Sequence, residues 1–226
     1  RAIELAKAHG IACVALRNNS HWLRAGRYGL MMADAGLMGI CFTNTCMNLT
    51  AWGTLEPSTG NIVAMVGDMG PKSGNLLWNY ATDIQQPGSS IKPLTAYAPA
   101  LDAGAVSPAT TFDNYPVRLL NGNPWPKNSP NTYTGWTSVR NGVKASINTI
   151  AVQTLEKVGV TAAYQFATEN LGLSLAPEDM NVSPLGLGGL TYGLSTVEMA
   201  AAYAAFANSG VYNEPKTYVK VLANDN

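Results

Sequence analysis

The run Pro87-Gly88-Ser89-Ser90-Ile91-Lys92-Pro93 is the stretch around which the rest of this 226-residue chain is organised. Pro-Gly is typical of a sharp chain entry, and the final proline is tolerated only in the first turn of a helix, where no intrahelical partner needs its missing N–H. The sequence therefore predicts a helix that starts at Ser89, reaches Ala103 and is ended by Gly104. Ser89 and Lys92 then lie three residues apart on one face, close enough to exchange a proton.

Ser-x-x-Lys at a helix start has two interpretations. A serine hydroxyl becomes a nucleophile once a base removes its proton, and a lysine can be that base when desolvation or nearby charge lowers its pKa. The positive potential at a helix N-terminus also favours a developing alkoxide. The same spacing describes an ordinary helix cap followed by a solvated lysine, so the motif alone does not distinguish the two.

The flanks of this motif resemble penicillin-binding proteins, the acyl-transferring enzymes that cross-link peptidoglycan and share Ser-x-x-Lys with the serine β-lactamases. The class A, bifunctional members are the most similar, from residues 55–67 to the C-terminal region. The resemblance implies an α/β (α+β) transpeptidase fold of the penicillin-binding-protein and β-lactamase type, with a helical subdomain. A hairpin turning at residues 57–60 would begin its central sheet. Ser89 would be the acylated nucleophile and Lys92 its base.

A second motif, Ser146-Ile147-Asn148, follows a short predicted helix over residues 139–145. A hydroxyl and an amide two residues apart at a helix junction can point in one direction, although an isolated Ser-x-Asn is usually an ordinary cap. Downstream of Ser89 it resembles the family's Ser-x-Asn motif. The resemblance implies that Ser146 relays a proton and that Asn148 hydrogen-bonds the substrate's peptide.

The remaining elements are predicted from turn and capping signals. Residues 107–136 are rich in Pro, Asn, Gly and aromatic residues and are predicted to be a long ordered loop, either a plain surface loop or, as the resemblance implies, the wall of the substrate groove. Helices are predicted over residues 148–158 and 161–170, and a capping box at Ser195 starts another that ends near Gly210. Tight packing accounts better than a phosphate cradle for the glycines near residue 188.

A third family motif, Lys-Thr/Ser-Gly, is absent from this sequence. Lys216-Thr217 lacks the glycine, so Lys216 is interpreted as structural. We therefore expect a domain truncated before this motif, with an incomplete central sheet. Since losing one oxyanion-hole donor costs roughly 10²- to 10³-fold in rate, acylation is expected to be impaired.

Residues 1–53 differ from the rest and contain all 3 cysteines and both histidines. Their periodicity predicts a short β-α-β fragment, and residues 17–22 and 39–45 resemble the malate/lactate dehydrogenase-like family, most of all the 2,3-diketogulonate reductases. The resemblance places a nicotinamide-contacting loop at Thr43, Asn44 and Thr45. The family's catalytic histidine and a glycine-rich fingerprint are both lacking, so we interpret this part as a fragment joined to a partial transpeptidase domain over residues 54–226.

Composition excludes several partners. The net charge is 0, the pI is about 6.9 and charged residues are 12%, which gives no electrostatic case for nucleic acid or an anionic membrane surface. No apolar run is long enough to span a membrane, and the first residues lack the layout of a secretion signal, so we expect either a cytosolic chain or a targeting region outside these residues. An odd cysteine count without Cys-x-x-Cys spacing argues against a metal site.

Three functions are compatible with the sequence. The first is a D,D-transpeptidase-like enzyme without a cofactor, which takes a peptidoglycan stem peptide or a β-lactam and works on the extracytoplasmic side of the bacterial envelope, as the resemblance implies. The second is a non-catalytic scaffold that binds at most a peptide. The third is a reductase fragment that uses NAD(H) or NADP(H) through residues 1–53.

Overall fold

The computed structural model describes residues 4, 7, 8, 35, 52–67, 74 and 77–218. The predicted β-α-β fragment (residues 1–53), including Thr43, Asn44 and Thr45, lies outside the described residues except for positions 4, 7, 8, 35, 52 and 53. In the part that is described, no helix is both long and apolar enough to cross a membrane.

An antiparallel hairpin opens the continuous part of the structure. Strand β1 (Trp52–Leu55) pairs with β2 (Ile62–Val66), which confirms the hairpin expected around residues 57–60. Lys216 lies beside the start of β2: its N–H donates to the Gly60 carbonyl (3.0 Å), and its carbonyl accepts from the Ile62 N–H (2.8 Å). These backbone contacts agree with a structural role for Lys216. The predicted division between residues 53 and 54 falls within β1 and stays a prediction.

The helix that carries Ser89 and Lys92 changes its hydrogen-bond register twice. It consists of a 3₁₀ turn (Gly88–Ile91), a π-helical segment (Pro93–Tyr97) and helix α1 (Ala98–Asp102). We call residues 88–102 the serine helix. Its start lies one residue before the predicted one, and Gly104, at φ 64°, follows its end as predicted.

The prolines of the serine helix explain the irregular register. Pro93 has no N–H to give to the Ser89 carbonyl, so the Lys92 N–H, one residue earlier, donates to it and closes a 3₁₀ turn. Pro99 likewise has no N–H for the Thr95 carbonyl. The Ala98 N–H reaches back five residues to the Pro93 carbonyl, which is the π-helical bond.

Residues 107–138, which we call the wall segment, are more regular than predicted. Instead of a loop they form two small antiparallel sheets. Strand β3 (Thr111–Asn114) pairs with β6 (Gly135–Ser138), and β4 (Arg118–Leu120) pairs with β5 (Asn123–Trp125). The prediction of a long ordered loop over residues 107–136 missed these strands, because strands of three and four residues give too short a pattern to be recognised from sequence.

The C-terminal half is helical. Its elements are α2 (Val139–Ala145), α3 (Asn148–Val158), α4 (Val160–Gln165), a π-helical segment (Phe166–Asn170), a 3₁₀ turn (Pro177–Asp179), α5 (Val182–Leu187) and α6 (Thr196–Ala207). The bounds of α2 and α3 match the predictions. The capping box of α6 is confirmed, since the Ser195 hydroxyl accepts from the Glu198 N–H and the Glu198 carboxylate accepts from the Ser195 N–H.

The serine helix lies at the centre of the core. It contributes fully buried side chains to three separate apolar clusters, with α6, with α3 and with α4 and α5. These side chains are Ile91, Leu94, Ala96, Tyr97 and Ala100. Because neighbouring elements cover this helix from several sides, its first turn is held in place from several directions at once.

Candidate active site

Lys92 directly follows the 3₁₀ turn that carries Ser89, and among the residues that the structure describes no hydrogen bond joins their two side chains. Side chains three residues apart eclipse in a 3₁₀ helix, whereas in an α-helix they are offset. Ser89 is exposed, and within the described part of the chain its hydroxyl makes no hydrogen bond. The next serine, Ser90, differs because its hydroxyl donates to the Pro87 carbonyl at 2.6 Å. Ser89 is thus the one of the two whose hydroxyl is available.

Lys92 is buried, with 1% of its surface exposed, and its ammonium group contacts three oxygen atoms. Nζ donates to the Ser146 carbonyl at 2.9 Å, to the Ser146 hydroxyl at 3.2 Å and to Asn148 Oδ1 at 2.5 Å. An ammonium has three hydrogens, so these acceptors use all of them. The structure therefore joins the Ser-x-x-Lys motif to the Ser-x-Asn motif through one side chain.

The pKa of Lys92 is lowered from its ordinary value of 10.5 to about 8, because burial disfavours the charged form. None of the three contacting oxygens carries a formal charge that would hold the proton more strongly. A substantial fraction of the lysine is then neutral near physiological pH, which a base must be.

The backbone at Ser146 brings both of its oxygens to Lys92. Ser146 ends α2 in the left-handed conformation (φ 53°, ψ 42°), which costs a non-glycine residue about 1–2 kcal/mol. Its N–H is bonded back into α2, to the carbonyls of Gly142 and Val143. The reversal of the chain directs the Ser146 carbonyl and hydroxyl at the same ammonium. Strained backbone of this kind is common at functional sites.

Asn148 is oriented from both ends. Its Oδ1 accepts from Lys92, and its Nδ2 donates to the Lys127 carbonyl in the wall segment at 2.6 Å. An amide nitrogen carries two hydrogens, and the second one has no acceptor within the part of the chain that the structure describes. Lys127 was not among the predicted site residues, and a backbone acceptor in a loop-like stretch leaves no signal in the sequence.

The approach to Ser89 is held by the segment between α5 and α6. Gln85 and Leu194 exchange backbone hydrogen bonds of 3.0 and 2.8 Å, and the side-chain amide of Gln86 pairs with both backbone groups of Leu190 at 2.8 Å. Gly188, at φ 79°, lies so close to the Gly88 carbonyl that a Cβ there would collide with it. This contact confirms the packing interpretation for Gly188.

Of the predicted site residues, the structure brings Lys92, Ser146 and Asn148 into direct contact, with Ser89 one 3₁₀ turn before Lys92. Thr43, Asn44 and Thr45 lie outside the described residues. An exposed serine hydroxyl followed by a buried lysine of lowered pKa is a pairing suited to a serine nucleophile and its base.

The chain belongs to the penicillin-binding protein transpeptidase domain family, whose family model matches residues 51–223. A second family model, that of malate/L-lactate dehydrogenase, matches residues 1–67 and overlaps the first at the β1–β2 hairpin. The recognition of both families from the sequence is confirmed.

Curated relatives and solved structures agree with this family. Penicillin-binding protein 1A of Clostridium botulinum (strain Hall) is 37% identical over 169 residues, which are 71% of this chain and 20% of the relative. The protein of that name from Vibrio cholerae is 37% identical over 172 residues, 74% of this chain and 20% of the relative. The chain thus spans about a fifth of the length of these relatives.

The structure of penicillin-binding protein 1A from Haemophilus influenzae matches with a TM-score of 0.62 and 29% identity, over 74% of this chain and 24% of that one. The PonA1 protein from Mycobacterium tuberculosis in complex with penicillin V matches with a TM-score of 0.60 and 23% identity, over 73% of this chain and 45% of that one. These matches confirm the predicted fold class, a transpeptidase-like mixture of helices and small sheets.

Proposed function

We propose that this chain carries the acyl-transfer site of a peptidoglycan D,D-transpeptidase, which works through an acyl-serine intermediate. The observation that carries the proposal is the buried Lys92, which contacts Ser146 and Asn148 and stands one 3₁₀ turn after the exposed Ser89. Membership of the transpeptidase family and the penicillin V complex of PonA1 support the same chemistry.

In the proposed reaction, Ser89 Oγ attacks the carbonyl carbon of the peptide bond that precedes the terminal residue of a stem peptide. Neutral Lys92 takes the hydroxyl proton as the C–O bond forms. The C–N bond then breaks, the proton passes to the leaving amine, and the acyl group stays on Ser89. An amine of a second stem peptide releases it in cross-linking, or water releases it by hydrolysis. With a β-lactam, the bond that breaks is the ring amide.

Ser146 is suited to relay the proton, because its hydroxyl fits Lys92 in both protonation states. The charged lysine donates to three acceptors. The neutral amine has two hydrogens and one lone pair, so one of its three contacts has to become a donor. The Ser146 carbonyl and Asn148 Oδ1 have no hydrogen to give, whereas the Ser146 hydroxyl can turn and donate. A proton can therefore leave Lys92 through Ser146 without breaking the other two contacts.

Asn148 is proposed to bind the substrate's peptide through the Nδ2 hydrogen that the Lys127 carbonyl leaves free. The 226 residues contain no Lys-Thr/Ser-Gly motif, and we propose that acylation by these residues alone is slow compared with that of family members that carry the motif. By family, the substrate is a peptidoglycan stem peptide on the extracytoplasmic side of the bacterial envelope, and no cofactor takes part.

The test is incubation of the folded chain with a fluorescent penicillin, followed by intact-mass measurement and peptide mapping. One penicillin per chain is expected, on the peptide that contains Ser89, and Ser89→Ala should remove it. Ser90→Ala is the matched control, since Ser90 is equally exposed and adjacent but its hydroxyl is engaged with Pro87. The Ser90→Ala variant should be labelled like the original chain.

Absence of label on a chain that melts cooperatively would reject the proposed enzyme and favour the peptide-binding scaffold. Label on Ser90 or on a lysine would reject the assigned nucleophile. The nicotinamide-dependent alternative requires NADH to raise the melting temperature of the same preparation.

A further inference from the structure

Helix α3, which presents Asn148, starts without a cap of its own. The residue at the N-cap position is Ile147, whose side chain offers no hydrogen-bond acceptor, and the first amides of a helix have no partner within it. The missing acceptor comes from the wall segment. Asn128 Oδ1 accepts the Thr149 N–H at 3.2 Å, which is the bond that an N-cap side chain ordinarily makes.

The rest of the Asn128 amide is also engaged. Its Nδ2 donates to Asn114 Oδ1 at 2.7 Å and to the Thr132 carbonyl at 2.9 Å. Asn114, 2% exposed, accepts at the same oxygen from the Thr149 hydroxyl at 2.5 Å and donates to Thr134 at 3.0 Å. Both polar atoms of the Asn128 side chain thus have partners, and those partners belong both to the wall segment and to α3.

This network determines where the Lys127 carbonyl points. Lys127 directly precedes Asn128, so the side-chain bonds of Asn128 hold the peptide group between the two residues. The Lys127 carbonyl then accepts from Asn148 Nδ2. With Nδ2 held there, the opposite end of the amide, Oδ1, faces Lys92.

The orientation of Asn148 matters because its amide has a donor end and an acceptor end. If the amide rotated by half a turn, Nδ2 would face the Lys92 ammonium, and two donors would oppose each other. Lys92 would lose one of its three acceptors, and the donor proposed for the substrate would no longer face the site. The Ser-x-Asn motif alone does not prevent that rotation, so the restraint comes from Lys92 at the Oδ1 end and from the Lys127 carbonyl at the Nδ2 end.

We propose that Asn128 is a positioning residue for acyl transfer, because it locks the wall segment to α3 and thereby holds Asn148 with its oxygen on Lys92. This inference rests on the proposed function of the Ser89 site. The part of it that concerns the orientation of Asn148 can be tested without any catalytic activity. Asn128 touches neither Lys92 nor the substrate and acts through Asn148.

The first arm of the test is a double-mutant cycle on the second-order rate constant for penicillin acylation. Asn128→Ala is expected to lower it by about 10- to 100-fold, the effect of a displacement of about 1 Å in a reacting group. In an Asn148→Ala background the same change should cost less than about 3-fold, since the side chain through which it acts is gone. If Asn128 only stabilised the fold, its substitution would lower the acylation rate constant by the same factor in both backgrounds. Equal losses would therefore overturn the proposal.

The matched control is Asn123→Ala. Asn123 lies in the same wall segment and is exposed, and of the described residues its amide donates only to the nearby Asn121 carbonyl. The acylation rate constant of the Asn123→Ala variant should equal that of the unmutated chain. If Asn128→Ala does not fold, Asn128→Asp replaces it, since the aspartate keeps an acceptor for the Thr149 N–H and loses both donors. We expect Asn128→Asp to lower the acylation rate constant by the same factor, and to have no such effect in the Asn148→Ala background.

The second arm is hydrogen exchange of the Asn148 side-chain amide, followed by NMR on the full chain without any ligand. The Nδ2 hydrogen of Asn148 that is bonded to the Lys127 carbonyl should exchange at least about tenfold faster in Asn128→Ala than in the unmutated chain. Its exchange rate should be unchanged in Asn123→Ala. Unchanged exchange in Asn128→Ala would overturn the inference. If the original chain is not acylated at all, the proposed function fails, and this arm still decides whether Asn128 holds Asn148.

Discussion

The pH dependence of Ser89 acylation provides a quantitative test of Lys92 as the base. Only the neutral lysine can accept the proton, and burial lowers the pKa of Lys92 to about 8. The neutral fraction is then about 1% at pH 6, about 10% at pH 7 and about 90% at pH 9. We therefore expect the acylation rate constant to rise about 90-fold from pH 6 to pH 9 and to level off above pH 8, with half of its maximum near that value.

A solvated lysine would give a different profile. With the ordinary pKa of 10.5, about 0.03% would be neutral at pH 7, and the rate would still rise tenfold per pH unit at pH 9. Burial therefore supplies roughly a 300-fold larger fraction of the base at neutral pH. The plateau distinguishes the two cases, since the slopes below pH 7 are the same.

The assay is rapid-quench labelling with a fluorescent penicillin at concentrations well below saturation, from pH 6 to pH 9.5, with the Ser89→Ala signal subtracted. Lys92→Arg should abolish labelling at every pH, because a guanidinium is not deprotonated in this range. Lys144→Arg is the matched control, since Lys144 is exposed at the end of α2, and its profile should not change. A profile that is flat, or that rises without a plateau up to pH 9.5, would refute Lys92 as the base.

Two further predictions concern the scaffold. Gly188→Ala should lower the free energy of unfolding by at least about 2 kcal/mol more than Gly122→Ala, because both glycines have similar positive φ (79° and 76°) and only Gly188 faces the Gly88 carbonyl. Equal losses in urea unfolding would contradict the crowding argument. Ser195→Ala should cost about 1 kcal/mol through loss of the capping box of α6, and an unchanged midpoint of thermal unfolding would show that the cap contributes nothing.

The parts of the fold that could be predicted are those whose signals lie close together in the sequence. A proline after Lys92, a glycine at residue 104 and the Ser195–Glu198 capping box each act within one or two helical turns, so the helix ends are read directly from them. The same holds for the hairpin of β1 and β2, whose turn has the composition that turns require.

The site could be predicted only in part, because its contacts join residues that are far apart in the chain. Lys92 and Ser146 are separated by 54 positions, and only the resemblance to a known family connected them before the structure did. The side-chain amide of Gln86 likewise pairs with Leu190, 104 positions further along the chain. A glutamine in the polar segment that precedes Ser89 gives no sequence signal of such a partner.

The wall segment shows why a local rule can fail for a physical reason. Sequence rules look for the cap of a helix in the residue just before it, and Ile147 has no side-chain oxygen or nitrogen to offer. The amide of α3 is nevertheless satisfied, because Asn128, 21 positions earlier, takes the place of the cap. A helix capped by a distant segment gains the stabilisation of that cap, about 1 kcal/mol, only when the segment is in place. The start of α3, where the Ser-x-Asn motif lies, is therefore stabilised by a tertiary contact that its own sequence does not encode.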